Sequence, residues 1–131
     1  MALRYPKIEE IIDFNKKILE KIKVKKKDKV GLMSYSKLVE IRDSCKTTKG
    51  DIYDKAVCLL KNLIQKHPFE SGNRRTAFGI TKKFILENMG KFGVKNSEKD
   101  AKVLQGIREG YYEDYEIKKW LKEGVIREFK R

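Results

Sequence analysis

His67-Pro68-Phe69-Glu70-Ser71-Gly72-Asn73-Arg74-Arg75-Thr76-Ala77 joins two stretches of helix-periodic apolar sequence and holds the only histidine in 131 residues. Upstream, Ala56, Val57, Leu59, Leu60, Leu63 and Ile64 recur at helical spacing between Ile52 and Lys66. That spacing predicts a helix with one broad apolar face. Pro68 disfavours right-handed helical geometry at His67, so the helix is expected to stop there. Gly72 offers a permissive backbone, and Asn73 is a preferred N-cap residue. A second helix is therefore expected from Arg74 to Asn88, burying Ala77, Phe78, Ile80, Thr81, Phe84 and Ile85 and ending on an Asn88-Met89-Gly90 cap.

Arg74 and Arg75 sit at the wrong end of that helix for their charge. A helix N-terminus carries partial positive charge and unpaired amides, so cations there cost from a few tenths to roughly 1 kcal/mol each. Either both arginines point into solvent or pair with glutamates, or an anion reverses the sign. A phosphate chain would be shared by amides, dipole and guanidinium groups together. His67, beside such a turn, has the chemistry of a general base for nucleotide-dependent transfer.

Quoted as a pattern, His-Pro-Phe-x-x-Gly-Asn-x-Arg-Thr-Ala resembles the signature of the Fic/Doc family, His-Pro-Phe-x-Asp/Glu-Gly/Ala-Asn-Gly/Lys-Arg. The Arg75-Thr76-Ala77 extension and the short chain look more like the Doc (death-on-curing) branch, the toxins of toxin–antitoxin pairs. The resemblance covers about Tyr5 to Gly90. It implies an all-α bundle of about six helices forming one domain over residues 1–131, with a small flap before the motif helix. It also implies an enzyme that moves a phosphoryl or nucleotidyl group from ATP, or another nucleoside triphosphate, to a Ser, Thr or Tyr hydroxyl of a target protein. In the family the flap docks the target's modifiable segment, and Ile41 to Gly50 holds that position here. The residues alone give only a loop there.

Carried over by position, the resemblance makes His67 the base that takes the hydroxyl proton. Pro68 and Phe69 become structural, with Phe69 anchoring the loop in the core. Gly72 and Asn73, with the amides opening the next helix, become the phosphate-binding anion hole. Arg75 contacts phosphate and stabilises the charge that develops in transfer, the usual electrostatic role in such reactions. Arg74, also phosphate-binding, stands where adenylylating members have glycine and Doc-like members have lysine. A bulky cation crowding that subsite goes with phosphoryl transfer, and AMP transfer (adenylylation) is the alternative. The family's metal-binding acid aligns with Ser71, which has no carboxylate to give Mg2+. Glu70 is one residue early and is the available substitute. Otherwise Mg2+ would be held through phosphates and water, or the chain would be a catalytically degraded basic binding module on the same scaffold.

Length and composition set the outer limits. A chain of 131 residues with 40% hydrophobic content makes one folded domain with one core. No apolar run approaches the roughly 20 residues that span a bilayer, so no membrane association is expected. The N-terminal Met-Ala-Leu-Arg-Tyr-Pro-Lys has no signal-peptide core, and a cytoplasmic location is the expectation. Cys45 and Cys58 with one histidine make no zinc site of the usual type. Cys58, beside Val57 and Leu59, reads as a buried thiol. The net charge of +13 fits nucleic acid, an acidic partner or a lysine-solvated surface, and it peaks in Lys21 to Lys29, most simply a solvated helix exit.

The remaining elements follow from periodicity. Ile8, Ile11, Ile12, Leu19 and Ile22, with Phe14 or Ile18 at the edge, stripe a first helix starting near Pro6, and Asn15, on the same turn, is a candidate to cap a loop. Ser34 or Ser36 caps a short helix through Leu38, Val39 and Ile41, followed by a polar turn from Asp43 to Asp51. Asn96 or Ser97 opens a helix burying Ala101, Val103, Leu104 and Ile107. Tyr111, Tyr112, Tyr115, Ile117, Trp120 and Leu121 mark a last amphipathic stretch, read as core rather than as a base-stacking surface.

Some Fic proteins restrain themselves with a helix carrying Ser/Thr-x-x-x-Glu-Gly/Asn. Here Glu87-Asn88, Glu109-Gly110 and Glu123-Gly124 are preceded at the required position by Lys83, Gln105 and Lys119, so none matches. The resemblance then implies an antitoxin acting in trans, whose acidic tail would suit the basic surface. It also implies a translation factor such as elongation factor Tu as target. Nucleic acid is the less favoured partner.

Overall fold

Asp51 opens the helix on which the others pack: its carboxylate accepts from the Tyr53 and Asp54 amides, and Asp54 returns a bond to the Asp51 amide. The computed structural model describes residues 2–21 and 31–130. Among them are six helices: α1 (Ile8–Lys21), α2 (Tyr35–Thr47), α3 (Ile52–Gln65), α4 (Asn73–Glu87), α5 (Glu98–Arg108) and α6 (Asp114–Glu123). No strand occurs among the described residues, so the fold is all-α, as the sequence predicts. α3 touches α2, α4, α5 and α6, while α1 lies against α4. Being covered on several sides, α3 buries Tyr53, Ala56, Val57, Leu59, Leu60, Leu63 and Ile64.

Two close contacts set the frame around the His67 turn. A Cβ added to Gly79 in α4 would lie only 2.0 Å from the Phe14 ring, so the missing side chain is what lets α1 approach α4. Phe14 seated there brings Asn15, the next residue, against the turn. At the other end of α3, Lys55 is nearly buried and donates to the Lys46 and Thr48 carbonyls at 2.9 and 2.7 Å. It thereby satisfies groups that the end of α2 leaves open.

Outside the motif, the structure departs from the sequence reading in several places. α2 continues through Asp43 to Thr47, so Ile41 to Gly50 is mostly helix and is not a flap. The segment beside the motif is instead Gly31 to Ser34, directly before α2, whose N-cap is Ser34, one of the two candidates. Ala101 and Tyr115 face solvent rather than the core. Cys58 is only half-buried, and the buried thiol is Cys45, whose pKa burial pushes up to about 12. Ile22 and the rest of the lysine run beyond Lys21 lie outside the described residues.

Among the described residues, Thr81 Oγ1 in α4 is buried with no hydrogen-bond partner. Burying an unsatisfied hydroxyl costs about 1–3 kcal/mol by mutational measure, so Thr81→Val should stabilise the protein by about 1 kcal/mol. Thermal melting checks this. An unchanged or lower midpoint would mean that the hydroxyl does have a partner in solution.

Candidate active site

The turn between α3 and α4 reverses the chain at a strained residue. His67 adopts φ 51°, the left-handed region that non-glycine residues enter rarely and at a cost of about 1–3 kcal/mol. Pro68 closes the right-handed region to it. The preceding Lys66 carbonyl is tied down by Lys37 Nζ at 3.1 Å. Pro68 and Phe69 are then buried, Phe69 almost completely at 1% exposure, while the His67 ring stays exposed.

Asn73 is the knot of the loop, in a different way from the cap expected of it. The cap residue is Gly72, at φ 79°, and Asn73 is the first residue of α4 with its side chain turned back. Its Oδ1 accepts from the Phe69 amide at 3.0 Å and its Nδ2 donates to the Phe69 carbonyl at 2.9 Å. Those two bonds fix which end of the amide is which. Nδ2 therefore also donates to His67 Nδ1, 3.1 Å away, and the neutral ring carries its proton on Nε2. Asn73 thus connects the exposed imidazole to the buried phenyl residue. It lines the site through its backbone amide, with its side chain directed inward.

Asn15 braces the loop from α1. Its buried amide donates to the Ser71 carbonyl at 2.9 Å and to Thr76 Oγ1 at 3.1 Å. Sequence reading offered it only as a cap for an unnamed loop, and it falls on the buried stripe between Ile11 and Leu19, where a polar side chain needs partners. Asn15→Leu keeps the branched shape, at a somewhat larger volume, and removes both bonds. About 1–3 kcal/mol of stability should be lost, because a buried carbonyl and hydroxyl are left unpaired. Urea unfolding tests it, and an unaltered midpoint with an unaltered slope would show that Asn15 does not brace the turn.

The opening of α4 presents amides outward. The first intrahelical bond is that from the Thr76 amide to the Gly72 carbonyl at 2.9 Å, so the amides of Asn73, Arg74 and Arg75 precede the ladder. Arg74 and Arg75 are both exposed. Arg74 neither floats nor meets a glutamate: its Nη1 donates to Gln105 Oε1 on α5. Burial first, and then the charges of Arg108 and Arg75, hold the Arg74 guanidinium below its usual pKa range. α4 and α5 thus gather three guanidiniums where a helix N-terminus already favours anions.

A cation has no comparable cradle. Among the described residues no three of His, Cys, Asp and Glu come together as a metal site. Ser71 is half-buried, and its carbonyl is taken by Asn15. Glu70 is exposed and lies over Gly31: its Cγ would be 3.3 Å from a Cβ placed there. The described residues therefore make no metal cage of protein ligands alone, and Glu70 is the one carboxylate that the turn offers to Mg2+ arriving on a nucleotide's phosphates.

On its other side the motif loop pairs with the segment before α2. Leu32 and Phe69 form an antiparallel bridge, with the Met33 amide donating to the Pro68 carbonyl at 2.9 Å and the Glu70 amide to the Gly31 carbonyl at 3.0 Å. In such a ladder the amide and carbonyl of Leu32 itself point away from the loop. Leu32, Met33 and Tyr35 are exposed there.

No described helix is long and apolar enough to cross a membrane. A family model described as the Fic/DOC family matches residues 5–85. Neither a search of curated proteins nor a search of solved structures returns a match.

Proposed function

Because the chain belongs to the Fic/DOC family, whose members are typically transferases using a nucleoside triphosphate, we propose that it modifies a hydroxyl of a target protein at the His67 turn. The observation that carries this reading is the exposed imidazole held by Asn73 beside the open amides and arginines that begin α4. A triphosphate lies along those amides, with Arg74 and Arg75 against its charge. The target hydroxyl gives its proton to His67 Nδ1, the one lone pair of the neutral ring, displacing the long 3.1 Å contact from Asn73. Its oxygen bonds to the γ-phosphorus as the bond from that phosphorus to the β–γ bridging oxygen breaks, and ADP leaves. Attack on the α-phosphorus, with pyrophosphate leaving, gives AMP transfer instead. The cationic Arg74 favours phosphoryl transfer. Mg2+ accompanies the nucleotide as the companion of its phosphates, and no residue here is assigned to it.

The outward edge of Leu32 suits an extended target segment, which would add to it by backbone pairing with Met33 and Tyr35 as apolar contacts. A translation factor such as elongation factor Tu is the target we favour. The net charge of +13 supports an acidic antitoxin as the restraining partner in the cytoplasm.

ATP labelled at the γ or the α position, incubated with the protein and cell extract, tests the assignment. His67-dependent γ-label supports phosphoryl transfer, and His67-dependent α-label supports AMP transfer. Label in neither favours the second reading, a binding module that kept the scaffold, for which Ser71 at the acid position speaks. Nucleic-acid binding instead requires affinity that falls steeply with salt and ignores His67→Ala.

A further inference from the structure

Both ends of the Gln105 side chain are engaged. Its Oε1 accepts from Arg74 Nη1, and its Nε2 donates to Glu109 Oε2, one helical turn along α5, at 2.7 Å. An amide with its oxygen and nitrogen each assigned has one orientation, so the acceptor offered to Arg74 is fixed in place. Arg108 is three residues on from Gln105 and shares its helix face, which brings a second cation of α5 to the same region.

This arrangement matters because arginine is long and flexible. Left free at the start of α4, Arg74 would spread over many rotamers and lose that freedom when an anion bound. Tethered by one of its five donors, it keeps the others in a set plane. The positive charges of Arg74, Arg75 and Arg108 repel one another, a smaller contribution than burial to the lowered pKa of Arg74. A chain of several phosphates relieves that repulsion better than a single one.

We infer that Gln105 is a positioning residue: it holds Arg74 against the β- and γ-phosphates of a nucleoside triphosphate, with Arg108 beside it. α5 thereby supplies a second side to the phosphate site opened by α4, one that reads phosphate number. This rests on the nucleotide-transfer reading and adds to it a residue outside the motif.

Titration calorimetry of the whole chain with ATP and with AMP tests it. Gln105→Met keeps side-chain length and removes both hydrogen bonds. ATP affinity should fall about tenfold, the worth of one charge-assisted hydrogen bond, while AMP affinity holds. A merely structural role would weaken both nucleotides alike. Arg74→Met should lower ATP affinity at least as much, and adding Gln105→Met to it should cost nothing more, since the amide acts through the guanidinium. Equal losses for ATP and AMP, or additive losses in the double variant, overturn the positioning role and leave the transferase reading standing. Failure of the unaltered chain to bind ATP overturns both.

Discussion

His67→Ala is expected to lower transfer of label from ATP by about 10²–10⁴-fold, the usual contribution of a positioned general base. Binding and stability should barely respond. The ring is exposed and its one hydrogen bond among the described residues is that of Asn73 Nδ2 at 3.1 Å, and Asn73 retains its bond to the Phe69 carbonyl when the imidazole is gone. The melting point should stay within the range of ordinary surface changes, about 0.5 kcal/mol. ATP affinity, which the proposed function assigns to the amides of α4 and the arginines, should stay close to that of the unaltered chain. The unusual backbone of His67 sharpens the test. Asparagine tolerates φ 51° as well as histidine does but has no basic lone pair, so His67→Asn should be equally stable and equally inactive. Activity above about a tenth of the original in either variant would sink the base assignment. A stable variant that no longer binds ATP would show that the ring belongs to the phosphate pocket instead.

That separation of chemistry from scaffold follows where the sequence was legible and where it was not. The helices α3 and α4 follow directly from apolar spacing, with Pro68 between them. So does the place of Gly72 at the junction, since its φ of 79° is one that glycine enters freely. α2 was harder, because Asp43 to Thr47 has few apolar residues to mark a face. Its end is completed by Lys55 reaching over from α3 and by Thr48 Oγ1 bonding back to the Ser44 carbonyl, neither of which has a local signature. Misplacing that end also put the loop expected beside the motif after α2, whereas the segment that pairs with the motif loop, Gly31 to Ser34, precedes it.

Within the site, the motif named the residues but not their directions. Asn73 has the composition of a cap, yet pairing with both backbone groups of Phe69 outcompetes capping, since a buried loop must satisfy its own amides and carbonyls. Asn15 was detectable in principle as a polar residue on an apolar stripe. Gln105 and Arg108 were not, because α5 reaches Arg74 only through tertiary packing, with the bonded pair 31 positions apart in the chain. Periodicity reports a face, and says nothing of which neighbour that face meets.

Phe69→Ala should behave in the opposite manner to His67→Ala, with stability and binding falling together. Removing a buried phenylalanine costs about 3–5 kcal/mol through lost transfer energy and the cavity left behind. Phe69 is 1% exposed and sits among the fully buried side chains of the core, so little relaxation should soften that loss. It is a large share of the roughly 5–15 kcal/mol available to a domain. The damage should also spread to the site. The backbone of Phe69 meets Asn73 on one side, and the loop pairs with Gly31 and Met33 on the other. A ring no longer anchored lets all of these shift, and with them the amides that open α4. Urea unfolding should therefore show a midpoint well below that of the unaltered chain, and ATP affinity measured where the variant is still folded should be reduced as well. Phe69→Leu, which refills most of the space, should recover most of both. A loss under about 1 kcal/mol would mean that the loop is held by its hydrogen bonds alone. A full loss of stability with ATP affinity intact would mean that α4 presents its amides without help from the turn.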